Sequence, residues 1–167
     1  QKFSLLTEEK GLSAKWLDDY LIPKLKISKF SDALKNYNGI DIPSIEWLTQ
    51  TWNPSLIEQI AMQICLEEKN KGADMMVSPD ISVSMGRSGD GISEDPYLCS
   101  KVGESINNAI RNSKLNLCLG KVSLSSDNAE LMDVDIDESV IREILLRPYS
   151  LNSNTKIDCV LTSSEKL

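Results

Sequence analysis

Apolar residues return at helical spacing in three stretches of the chain. Asn53 followed by Pro54 is the pattern of an N-cap and a first helical residue. Ile57, Ile60, Ala61, Ile64 and Cys65 then form one stripe, and Gly72 stands where a helix ends in a left-handed residue. A second helix starts near Ser93 with Pro96 in its first turn, and Leu98, Val102, Ile106, Ala109 and Ile110 make its buried face. A third is predicted from Asp135 to Arg147, with Asp135 and Glu138 as a variant of the capping box and Val140, Ile141, Ile144 and Leu145 facing inward. A weaker N-terminal helix starts near Thr7.

Between these helices lie short apolar runs of strand length: Leu25 to Phe30, Ile45 to Leu48, Met75 to Val77, Leu115 to Val122 and Ile157 to Leu161. Several are followed by a polar loop and then a helix. That alternation is the pattern of an α/β domain with a parallel sheet, because parallel neighbours need a crossover and a helix supplies it. The pattern leaves a doubly wound sheet and part of a (β/α) barrel equally open. The length of 167 residues suits a single domain over 1–167, and no repeat or linker divides it.

Composition narrows the function classes. A net charge of -7 argues against nucleic acid and anionic membrane surfaces as partners, since both attract basic proteins. No apolar run approaches the length of a membrane span, and the first residues read as a polar helix rather than a leader. The chain has no histidine, which removes Ser-His-Asp and Cys-His catalysis and the commonest metal ligand. Cys65, Cys99, Cys118 and Cys159 form no Cys-x-x-Cys pair and are expected as buried free thiols, with disulfides left open by the spacing. No cofactor is expected.

Two motifs are weighed and set aside. Asp133-Val134-Asp135-Ile136-Asp137 opens like a calcium loop, but Glu138 and Ile144 stand where that loop needs Gly and Glu. Gly86-Arg87-Ser88-Gly89-Asp90-Gly91 is glycine-rich but lacks both the P-loop lysine and the dinucleotide spacing, so spacing alone reads it as a surface loop.

A set of collinear segments carries more weight. In order they are Leu6-Thr7-Glu8-Glu9-Lys10, Ile22-Pro23-Lys24-Leu25 with Ser31-Asp32, Ile42-Pro43-Ser44, and Thr51-Trp52-Asn53-Pro54. There follow Lys71-Gly72-Ala73-Asp74 through Pro79, Gly86-Arg87, Ser93-Glu94-Asp95-Pro96-Tyr97-Leu98, and Asp137-Glu138 with Arg142-Glu143-Ile144 and Pro148. Val160-Leu161-Thr162-Ser163 with Lys166-Leu167 closes the set. Together they resemble the front part of the catalytic barrel of glycoside hydrolase family 3, over nearly the whole chain.

The resemblance implies an incomplete (β/α) barrel of about five strand–helix units, β-glucosidase-like ancestry and a carbohydrate ligand. It implies that Asp32, Arg87 and Lys121 match the residues that hold the non-reducing-end sugar. A carboxylate accepting from adjacent hydroxyls and two cations donating to them suit that role. The departures are specific. Asp32 is followed by Ala33-Leu34-Lys35-Asn36 rather than Gly-Pro-x-Gly, and the family's Lys-His pair reads Lys121 followed by Val122-Ser123. Asp90 replaces the glutamate after Gly-Arg, and Ser164 replaces a tyrosine. The family's nucleophile and acid/base have no counterpart in this chain, so it is expected to be inactive alone. It is expected either to join a C-terminal part or to be a degenerate relative that binds a sugar or a partner protein. An unclosed sheet implies self-association as well.

Overall fold

The computed structural model describes residues 25–35, 37–84, 91–122, 137–149 and 156–162. The expected N-terminal helix near Thr7 lies outside them. The fold is α/β, built on four parallel strands whose order in the sheet follows the chain. These are β1 (Ile27–Lys29), β2 (Met75–Val77), β3 (Asn116–Val122) and β4 (Cys159–Thr162). Ile27 pairs with Met75, Met75 with Asn116, and Cys118 with Cys159. The sheet is open, with β1 and β4 at its edges. Among the described residues four strands stand where about five strand–helix units were expected.

The missing strand is a helix. Ile45 to Leu48 was read as a strand but folds as α2 (Ile45–Thr49), after α1 (Phe30–Lys35). Ile45, Leu48 and Thr49 are buried, which is the i, i+3, i+4 spacing of one helical face. A run of four apolar residues cannot separate the two periods. The turn between α1 and α2 is tight: Asn38 and Gly39 both have positive φ, and the Ile40 N–H donates to the Tyr37 carbonyl at 2.8 Å.

The two long helices match the sequence reading. In α3 (Pro54–Asn70), the Asn53 side chain accepts from the Leu56 N–H at 3.1 Å, and Gly72 follows the helix with φ +90°. In α4 (Pro96–Asn112), the Asp95 side chain accepts from the Tyr97 N–H at 2.8 Å. Val102, Ile106, Ala109 and Ile110 of α4 are fully buried, together with Ala61 and Cys65 of α3. Each fully buried Val or Ile contributes roughly 1.5–3 kcal/mol relative to exposure. The core lies between these helices and one face of the sheet, where Met76, Leu117 and Leu119 are buried. Asn107 is an exception, fully buried on α4 with neither side-chain polar atom hydrogen-bonded.

The third helix is shorter and broken. Its α-helical part is α5 (Glu138–Val140), capped by Asp137, and it passes into a π turn (Ile141–Leu145) and a 3-10 turn (Arg147–Tyr149). Asp135, the expected cap, lies outside the described residues. Only Leu145 of the predicted inward face is buried; Val140 and Ile144 are exposed. The π turn widens the helix and disrupts the periodicity from which that face was read.

The cysteine reading is corrected in part. Cys65 and Cys99 are buried free thiols, whereas Cys118 and Cys159 form a disulfide between neighbouring strands. Parallel register sets them side by side, with Cα atoms 4.3 Å apart. Just before it, Asp158 ties the start of β4 to the body. It pairs with Arg111 of α4 at 2.6 Å and accepts from the Leu117 N–H at 3.0 Å.

Candidate functional site

Because all four strands are parallel, their C-terminal ends emerge at one edge of the sheet. In open and closed parallel sheets that edge is where ligands bind, since the loops there diverge and can carry side chains toward a common space. Three segments occupy it: α1 after β1, Ser78-Pro79-Asp80 after β2, and the last residues of β3.

Asp32 lies in the first turn of α1, directly after β1, and is exposed while its neighbours Ala33 and Leu34 are buried. Where the family has Gly-Pro, this chain has the good helix formers Ala33, Leu34 and Lys35, and the segment is helical. Asp32 is thus carried on a helix rather than on a glycine-rich loop. Lys121 lies in β3, two strands away across β2. At about 4.8 Å per strand, that separates the two strand ends by roughly 10 Å. Both residues sit at the C-terminal edge. Arg87 lies outside the described residues.

The chain that leads toward Arg87 is pinned at both stems. The Ser84 N–H donates to the Ser93 carbonyl at 2.8 Å, and the Ile92 N–H to the Ser82 carbonyl at 3.1 Å. Gly91 has φ +73°, and a Cβ there would lie 2.4 Å from the Ser82 oxygen, so no other residue fits without movement. Asp80 caps the turn by accepting from the Ser82 N–H at 2.9 Å. Beneath these stems, the Cys99 thiol points to the Ser93 carbonyl at 3.3 Å. Burial pushes its pKa up to about 11, so it is a packed thiol rather than a nucleophile.

Two residues at this edge were missed by the sequence reading. Ser78 is buried, its N–H donates to the Cys118 carbonyl at 2.8 Å, and its Oγ accepts from the Gly120 N–H at 2.8 Å. A Cβ at Gly120 would meet the Ser78 carbonyl oxygen at 2.4 Å and the Pro79 carbonyl oxygen at 2.6 Å. The available signal was a glycine inside an apolar strand run, which marks a bulge or a close backbone approach. The β3–β4 pairing is irregular at that point, between Leu119 and Val122. Among the described residues no group of three or more potential metal ligands clusters. No helix there is long and apolar enough to cross a membrane.

The comparisons with known proteins bear on the fold and its relatives. A β-glucosidase of Rhizobium radiobacter is 27% identical over 127 residues, covering 72% of this chain and 16% of its own. Thermostable β-glucosidase B of Acetivibrio thermocellus is 26% identical over 113 residues, covering 64% and 15%. The chain is similar to the β-glucosidases of glycoside hydrolase family 3. Among solved structures, a β-glucosidase from Paenibacillus barengoltzii superposes with a TM-score of 0.67 at 20% identity, over 83% of this chain and 16% of that one. A glycosyl hydrolase of family 3 from Mycobacterium smegmatis gives 0.59 at 15% identity, over 77% and 43%. At those identities the superpositions speak for the fold. This β-glucosidase-like chain spans about one-sixth of the length of the curated relatives it matches (16% and 15%). No protein-family profile matches it.

Proposed function

We propose that this chain is a β-glucosidase-like carbohydrate-binding unit that holds a sugar at the C-terminal edge of its sheet and does not hydrolyse it alone. What supports the reading is that α1, which carries Asp32, and the end of β3, which carries Lys121, lie at that edge; the family resemblance assigns these two residues to sugar binding. Asp32 accepts hydrogen bonds from adjacent hydroxyls, and Lys121 and Arg87 donate to them. The four strands stand as the first part of a (β/α) barrel. Hydrolysis needs a second carboxyl group placed across the glycosidic bond from the first, about 5–9.5 Å away according to mechanism. Without the family's nucleophile and acid/base, aryl β-glucosides are bound but not turned over. Incubation of the pure chain with an aryl β-glucoside tests this. Release of the phenol at background rate is the expected result, and steady turnover abolished by Asp32→Asn would overturn it.

A second reading has its own observation. The edge strand β4 leaves Val160 47% and Leu161 42% exposed. Among the described residues no strand pairs with the outer side of β4, and an apolar edge of that kind favours strand addition by a second copy or a partner protein. Light scattering across a concentration series tests it; a monomer at all concentrations would refute self-association.

A further inference from the structure

We propose that Trp47 in α2 and Trp52 in the turn before α3 form a stacking platform for a β-linked glucan chain. The class of ligand rests on the sugar-binding reading, while the contact is a second one, separate from Asp32.

Both indoles are turned to water. Trp47 is 69% exposed and Trp52 67%. Tryptophan is highly buried on average, and leaving so large a ring in water forgoes the stabilisation that burial gives. Trp47 faces outward by helical geometry: Ile45, Leu48 and Thr49 take the buried face of α2 and leave position 47 opposite. Trp52 faces outward on a backbone that disfavours it. Its φ is +55°, in the left-handed region where a bulky side chain is rare and glycine or asparagine is the ordinary occupant. Two unfavourable features thus meet at one turn, an exposed ring and a left-handed backbone, and at this exposure packing offsets neither. Backbone strain of this kind collects where a residue meets a ligand.

The turn that carries the rings is held by hydrogen bonds. The Thr51 N–H donates to the Leu48 carbonyl at 3.1 Å, and the Trp52 N–H to the Thr49 carbonyl at 3.0 Å. The Thr51 hydroxyl donates to the Leu48 carbonyl at 2.7 Å and accepts from the Asn53 N–H at 3.3 Å. Asn53 then caps α3. Position 52 is fixed from both sides, so little backbone ordering opposes binding. The turn also lies at the right end of the molecule. α3 leads through Gly72 into β2, so it runs antiparallel to that strand, and its first turn points toward the C-terminal ends of the strands. The Ile42 N–H donates to the Leu34 carbonyl at 3.1 Å, tying the segment before α2 to α1, which carries Asp32.

The chemistry of the patch selects a saccharide. An indole face packs against the C–H face of a pyranose ring while the sugar hydroxyls stay in water or meet polar groups nearby. Gln50 and Asn53, both exposed, place amides beside the rings. Gln50 and Thr51 stand between the two indoles, so the surface is not the continuous apolar patch that a protein partner covers. Nucleic-acid bases also stack on indoles, but a net charge of -7 repels a polyanion and is indifferent to a neutral glucan.

Separate titrations of cellotetraose and methyl β-glucoside into the full chain form the test. The native sequence should bind cellotetraose about tenfold or more tightly than methyl β-glucoside. Trp47→Ala and Trp52→Ala should each weaken cellotetraose binding by about threefold to tenfold and leave methyl β-glucoside binding unchanged. Trp52→Gly separates function from packing. It should lose the same affinity yet melt no lower than the native sequence, because glycine is at ease at a positive φ. A Tm well below native for Trp52→Gly would show that the indole packs in the fold and would overturn the platform. Absent or equally weak cellotetraose binding, or binding unchanged in both alanine variants, would overturn it as well. Light scattering addresses the other occupant: alanine variants that change the oligomeric state and not the sugar affinity would assign the surface to contacts between copies of this chain and refute the proposal. Asp32→Ala keeps the two readings apart, since it should abolish methyl β-glucoside binding and spare a tryptophan-dependent part of cellotetraose binding. If cellotetraose binds through the indoles and methyl β-glucoside does not bind at all, the platform stands and the Asp32 reading falls. If methyl β-glucoside binds through Asp32 and cellotetraose binds no tighter, the reverse holds.

Discussion

Replacing Cys159 by Ser tests how the edge strand is held. Cys159 is half-buried and Cys118 is buried, so Cys159→Ser removes the cross-link with the smaller disturbance to packing. The bonded residues are 41 apart in sequence. In the chain-entropy account, closing a loop of that size removes about 13 cal/mol/K from the unfolded state, or about 4 kcal/mol at 25 °C. For a chain of this length, 1 kcal/mol corresponds to roughly 2–4 °C in Tm, so the variant should melt about 8–16 °C lower. The loss should be confined to the linkage, because Asp158 still pairs with Arg111 and still accepts from the Leu117 N–H. Differential scanning calorimetry in the presence and absence of dithiothreitol provides the assay. Reductant should lower the Tm of the native sequence toward that of Cys159→Ser and leave the variant unmoved. Equal Tm values for both proteins under both conditions would refute the reasoning.

Two further outcomes follow from the half-buried Glu68 and the buried Asn107. Burial raises the pKa of Glu68, but hydrogen bonds from Ser28 and Lys71 and the charges of Lys71 and Lys26 outweigh it and hold the carboxyl below its ordinary value. Its contribution to stability is therefore present above the ordinary carboxylate pKa and is lost as pH falls through the lowered value. Urea denaturation of Ser28→Ala between neutral and acid pH should show a weaker acid dependence than the native sequence, and identical pH profiles would refute it. Asn107 is buried with both polar atoms unpaired, so Asn107→Leu should stabilise the fold by about 1–3 kcal/mol in the same assay; destabilisation would mean that the amide has a partner in solution.

Much of the scaffold was legible because its signals are local. Asn53-Pro54 and Asp95-Pro96 cap two helices whose apolar stripes are long enough to fix the period, and both form as read. The β2 and β3 runs were legible for the same reason, and their alternation with helices gave the parallel sheet. What failed was either too short or too distant in sequence. Ile45 to Leu48 is one helical turn long and was read as a strand. Phe30 ends an apolar run but opens α1, since its ring is needed in the core rather than in the sheet. The Cys118–Cys159 bond depends on register between strands, which spacing cannot supply. The candidate site rests on the family resemblance alone. It assigned Asp32, Arg87 and Lys121, whereas the Gly120 N–H donates to the Ser78 Oγ across 42 residues of sequence, a contact that neither residue announces alone.

Titration of methyl β-glucoside into the isotopically labelled chain tests the account most directly. The predicted result is weak binding, with a dissociation constant on the order of millimolar. Shift changes should concentrate at residues 30–35, 78–80 and 120–121, and Asp32→Ala should abolish them. Shifts confined to other parts of the chain, or none up to saturating sugar, would contradict the placement of a carbohydrate site at the C-terminal edge of the sheet.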